Sequence, residues 1–119
     1  MPRILVLEDE SLIAMMLQGW LERIDCETIG PAHSVQGALD LLEGMRLDGA
    51  LLDVSLRDNE KCYPVASALR DRRVPFAFLT GYAAEAIDAR FGDVPILCKP
   101  LDFEAFEAAI AKFLSLPGS

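Results

Sequence analysis

Four short apolar runs of this chain each end on residues that carry chemistry. Residues 4–7 give way to Glu8 and Asp9, residues 50–52 to Asp53, residues 76–79 to Thr80, and residues 96–98 to Lys99. Runs of this length suit the strands of a parallel sheet covered on both faces, where ligands bind beyond the carboxyl ends of the strands at the point where strand order reverses. One sheet edge would then gather three carboxylates, a hydroxyl and an ammonium. Crowded carboxylates suit a hard divalent cation such as Mg²⁺. A hydroxyl and an ammonium suit the oxygens of a phosphoryl group.

The elements that must position these residues alternate along the chain. Strands are expected at about 3–8, 27–31, 48–53, 75–80 and 95–98, separated by amphipathic segments, which is the pattern of βαβ units and a parallel sheet with helices on both faces. Ile13, Met16, Leu17, Trp20, Leu21 and Ile24 recur at helical spacing, so Trp20 and the methionines need no cofactor to explain them. Val35, Ala38, Leu39, Leu42 and Met45 do the same after Ser34, a capping residue. A third helix is expected from near Pro64 towards Arg73, and a weaker, Ala-rich fourth over about 83–91 between Gly81 and Gly92. The last helix is capped by Asp102, with Leu101 and Phe106 bracketing its first turn and Phe103, Phe106, Ile110, Phe113 and Leu114 on one face.

A length of 119 residues fits one domain, 1–119, with room for a core that needs no disulfide. The 52% hydrophobic content is high, yet no apolar run approaches the ~20 residues that span a bilayer, and no secretory signal is expected. Cys26, Cys62 and Cys98 are odd in number and widely spaced, which suits free thiols in a cytoplasmic setting, with Cys98 expected to be a buried small hydrophobe. A net charge of −8 argues against a nucleic-acid partner. The one basic cluster, Arg70, Arg72 and Arg73, falls where a helix should end, and a solvated helix terminus explains it. His33, the only histidine, is expected in a surface loop after a strand, and Glu10 as a charge at the start of a helix.

Taken in order, these segments resemble the receiver domain of two-component response regulators over essentially the whole chain. Leu-Glu-Asp-Glu at 7–10 resembles the family's acidic pair, Leu-Asp-Val-Ser-Leu at 52–56 its phosphoacceptor segment, Leu-Thr-Gly at 79–81 its switch threonine, and Cys-Lys-Pro-Leu at 98–101 its lysine-proline pair. The resemblance implies a flavodoxin-like sheet of order 2-1-3-4-5. It implies that Asp53 accepts a phosphoryl group from a phosphohistidine, that Asp9 and Asp53 bind Mg²⁺ directly, Glu8 through water and Ser55 through its carbonyl, and that Lys99 and Thr80 hold phosphoryl oxygens. It also implies a cis Lys99–Pro100 bond. The partners implied are a histidine kinase or phosphotransfer protein and an unknown downstream protein, with neither nucleic acid nor membrane; the domain is a switch and not a turnover enzyme.

Two departures refine this. Ile96 stands three residues before the lysine, where most receivers carry an aromatic residue. Phe-Ala-Phe-Leu-Thr-Gly-Tyr at 76–82 resembles instead the subfamily called FATGUY receivers, which includes bacterial single-domain regulators served by kinases of the HWE and related groups. Thr80, Gly81 and Tyr82 would then form the switch, with Tyr82 as the moving aromatic. The glycine expected soon after the phosphoacceptor is replaced by Asp58 or Asn59, and asparagine accepts a left-handed conformation more readily than most residues. Two rivals remain at this stage: a receiver-like binding module that does not use phosphate, and an Asp-nucleophile phosphotransferase, whose usual second acid two residues on is here Ser55.

Overall fold

The computed structural model describes residues 1–81 and 87–115. Strands β1 (Arg3–Leu7), β2 (Glu27–Ala32), β3 (Gly49–Asp53), β4 (Phe76–Thr80) and β5 (Ile96–Cys98) form one sheet of order β2-β1-β3-β4-β5, parallel throughout. Helices α1 (Ser11–Arg23), α2 (Val35–Leu42), α3 (Tyr63–Asp71) and α4 (Phe103–Ser115) cover it. This is the flavodoxin-like arrangement expected.

Period-two alternation divides the strands between two cores. Leu5, Leu7, Ala50, Leu52, Phe76 and Phe78 point into a cluster with Ala38 and Leu42 of α2 and Val65, Ala66 and Leu69 of α3. Ile4, Val6, Leu51, Ala77 and Leu79 point the other way, onto Leu17 and Leu21 of α1 and Phe106, Ile110 and Phe113 of α4. Tyr63 stacks on Phe91 in the first core, and Trp20 meets Phe103 and Phe106 in the second. Both faces being covered, the strands read as unbroken apolar runs.

The expected caps form: Ser34 Oγ accepts from Gly37 N–H at 3.0 Å, and Asp102 Oδ2 from Ala105 N–H at 3.2 Å. Register brings the strand ends level, with Leu7 opposite Leu52, Asp53 opposite Leu79 and Thr80 opposite Cys98. Lys99–Pro100 is cis, and Gly30–Pro31 is a second cis bond that the sequence did not announce.

Some expectations are corrected. Cys98 is exposed, because β5 is a three-residue edge strand whose alternation turns Ile96 and Cys98 away from the packed side, while Cys26 and Cys62 are buried. Leu114 is 43% exposed and belongs to the outer side of α4. Arg70 and Arg72 are more than a solvated helix end: Arg70 donates to the Arg90 carbonyl and pairs with Asp93 over the Phe91 ring, and Arg72 donates to the Leu42 carbonyl. Residues 83–86 of the expected helix over 83–91, and Tyr82, lie outside the described residues; Ala89–Phe91 is a single 3₁₀ turn whose N-cap, Asp88, accepts from Arg90 N–H.

Candidate functional site

At the carboxyl edge of the sheet, β1 delivers Glu8 and Asp9, and β3 ends on Asp53. Carboxylate oxygens of these three residues lie within 4.8 Å of one another. Glu8 is fully buried and Asp53 is 5% exposed. Lys99, just past β5, is set by its N–H to the Thr80 carbonyl at 2.8 Å, and its ammonium reaches both carboxylates, 2.8 Å from Glu8 Oε1 and 3.2 Å from Asp53 Oδ2. The Lys99 ammonium is thus shared between two buried carboxylates, with Glu8 Oε1 the nearer.

The electrostatics follow from burial. Loss of water, then hydrogen bonding to and repulsion from Glu8, push the Asp53 carboxyl up to about 7 against the pull of Lys99. For Lys99, burial acts to lower the pKa, but the Glu8 and Asp53 carboxylates outweigh it and hold the ammonium above its ordinary range. A set of three clustered hard oxygen donors, with more acid than base, fits a divalent cation.

Glu8, Asp9, Asp53 and Lys99 are thus brought together as the sequence predicted. Ser55 and Gly81 line the same cleft; Ser55 N–H donates to Asp53 Oδ1 at 3.3 Å, and its hydroxyl accepts from Lys61. Thr80 is 2% exposed at the end of β4, and its hydroxyl points to Cys98 Sγ at 3.8 Å, not to Asp53. Glu10 is the N-cap of α1, its N–H donating to Glu8 Oε2. His33 is exposed, as expected, yet its Nδ1 lies 3.0 Å from the Glu8 carbonyl oxygen.

One contributor was missed. Arg57 N–H donates to Asp9 Oδ2 at 2.9 Å, and its guanidinium lies 3.7 Å from the same oxygen. Asp58 and Asn59 both adopt φ 61, in the turn that brings the Arg57 N–H to Asp9. The departure from glycine at 58 and 59 was the available signal, but it does not reveal the target.

A doubly wound sheet of this order, with an acidic triad and a lysine at its carboxyl edge, is characteristic of a receiver-domain phosphoacceptor site, the site of a signalling module. The chain belongs to the CheY-like receiver-domain family of response regulators. It is similar to SdrG from Sphingomonas melonis Fr1, with 45% identity, TM-score 0.86, and coverage of 96% of this chain and 97% of that one. A BeF3-activated conformation of SdrG matches at 46% identity with TM-score 0.79, covering 94% and 95% of the two chains. The response regulator PhyR from Brucella abortus matches at 28% identity and TM-score 0.80, over 94% of this chain and 47% of that one. The sensory transduction protein LytT of Bacillus cereus is 33% identical over 95% of this chain and 47% of its own length. The chain spans about half the length of the curated relatives it matches. No protein-family model matches it.

Proposed function

We propose that residues 1–119 act as a one-domain receiver in which Asp53 takes a phosphoryl group from the phosphohistidine of a kinase or phosphotransfer protein. The observation that carries this is the contact of Lys99 with Asp53 inside the three-carboxylate cluster. As an Asp53 O–P bond forms, the donor's N–P bond breaks and the imidazole nitrogen leaves with its electron pair and takes up a proton.

Glu8, Asp9, Asp53 and the Ser55 carbonyl would hold Mg²⁺. When bound, it supplies the charge that keeps these carboxylates ionised and receives phosphoryl oxygens. Lys99 exchanges an Asp53 oxygen for a phosphoryl oxygen. Thr80 turns its hydroxyl from Cys98 to another, and Gly81 and Tyr82 follow as the switch. The Thr-Gly-Tyr segment supports a FATGUY-type receiver and a kinase of the HWE or related type. Ile13 and Met16 of α1 line the Asp53 cleft, and on the same helix Leu12 is 81% and Met15 67% exposed; apolar side chains there suit a protein partner. That SdrG has a BeF3-activated conformation supports a phosphate-driven change in this chain too. Among the described residues no helix is long and apolar enough to cross a membrane, and the expected setting is the cytoplasm.

The test is labelling with acetyl phosphate or a phosphorylated kinase of the HWE type. Wild type should acquire a base-labile, acid-stable phosphoryl group and Asp53→Asn none. Equal labelling of both would refute the assignment, and no labelling of either would favour a phosphate-independent binding module.

A further inference from the structure

The segment between β3 and α3 is tied down at several points. Ser55 and Lys61 form an antiparallel bridge, Leu56 N–H donates to the Glu60 carbonyl at 2.8 Å, and Glu60 N–H donates to the Arg57 carbonyl at 3.2 Å. Outside this turn, Glu60 Oε1 accepts the N–H of Val35 at the start of α2, at 2.9 Å. Arg57 is therefore delivered to Asp9 by a closed turn and is not a side chain that merely passes by.

What it does there is a matter of charge. One oxygen of Asp9, whose side chain is 10% exposed, receives both the Arg57 amide and the approach of its guanidinium. Arg57 also lines the cleft shared by Asp9, Asp53 and Lys99. With Lys99 and Arg57 both in place, three carboxylates face two cations. A dication entering this cluster meets a positive charge 3.7 Å from one of its ligand oxygens, carried on a side chain that is itself 77% exposed. We infer that Arg57 is the metal-free occupant of Asp9 and sets the affinity of the acidic cluster for a divalent cation. This rests on the metal reading given above, with Arg57 as an added determinant of how readily the site loads.

The experiment is a Mg²⁺ titration of the metal-free protein, followed by backbone amide shifts, on wild type, Arg57→Ala, Arg57→Lys and Arg46→Ala. Arg46 lies on the loop before β3, at the opposite end of that strand from the site, and controls for net charge alone. Arg57→Ala should bind Mg²⁺ about two- to five-fold more tightly than wild type at low ionic strength, the range of an exposed ion pair, and the gap should narrow at about 0.5 M salt. Arg57→Lys should stay near wild type, as should Arg46→Ala. In wild type the Arg57 amide should exchange with solvent faster as Mg²⁺ is added, since its acceptor is being claimed. Equal or weaker binding by Arg57→Ala, with wild type binding normally, overturns the inference and leaves the metal reading intact. Failure of wild type to bind millimolar Mg²⁺ overturns both.

Discussion

Lys99 Nζ lies 2.8 Å from Oε1 of Glu8, a carboxylate with no exposed surface. The same ammonium serves Asp53 at 3.2 Å, so one cation keeps two buried acids together. Removing a partner from a buried pair leaves an uncompensated charge, which costs about 3–5 kcal/mol. Lys99→Met keeps the stem and removes the charge. At pH 8 without metal it should lose about 3 kcal/mol in urea unfolding, and millimolar Mg²⁺ should return part of the loss. A midpoint equal to wild type would mean that Lys99 is not the counter-ion.

Asp53 sets the pH dependence of the metal-free protein. Its carboxyl is raised in the folded state to about 7, so folding favours the protonated form. That contribution is fully present below the ordinary carboxylate pKa and is lost as pH rises through about 7. Metal-free wild type should therefore unfold at lower urea at pH 8 than at pH 5, by an amount on the order of 2–4 kcal/mol. Asp53→Asn should flatten that difference and be the more stable protein at pH 8. If wild type gains stability between pH 5 and pH 8, the carboxylate is not under the strain described.

Much of this was legible in the chain, for a physical reason. A parallel sheet covered on both faces needs unbroken apolar strands, so the first polar residue after each run marks the strand end, and Glu8, Asp53, Thr80 and Lys99 stand there. Which face each strand residue takes was hidden by the same fact, since Ile4 and Leu5 are equally apolar yet enter different cores. The contact between Arg57 and Asp9 depends on two successive left-handed residues, Asp58 and Asn59, and no periodicity reports that. Cys98 reads as core in an apolar run, and only its place on a three-residue edge strand exposes it.

That exposure gives a direct count. Cys26 is 1% and Cys62 0% exposed, while Cys98 lies at the surface. Burial also raises the Cys26 pKa, which withholds its thiolate further. Ellman's reagent should titrate one thiol in the native protein and three in denaturant, and Cys98→Ser should remove the native one. Two or more fast thiols in native protein would place Cys26 or Cys62 at the surface.

Metal linkage separates the acidic cluster from a mere collection of surface acids. A ligand bound only by the native state adds RT ln(1 + [L]/Kd), about 1.4 kcal/mol at ten times Kd, or a rise of about 5 °C in Tm for a chain of this size. Wild type should show that rise with saturating Mg²⁺. Asp9→Asn removes one of three clustered carboxylates while leaving a carbonyl oxygen that still accepts the Arg57 N–H, so the turn over the site keeps its anchor. The variant should therefore fold, melt close to metal-free wild type, and lose most of the Mg²⁺ increment. Asp48→Asn supplies the comparison, because Asp48 is an acid outside the cluster that accepts from Arg3 N–H at 2.8 Å; its Mg²⁺ increment should equal that of wild type. Equal increments in Asp9→Asn and wild type would mean that Mg²⁺ stabilises the protein without using the β1 acids, and the cluster would lose its role as the metal site.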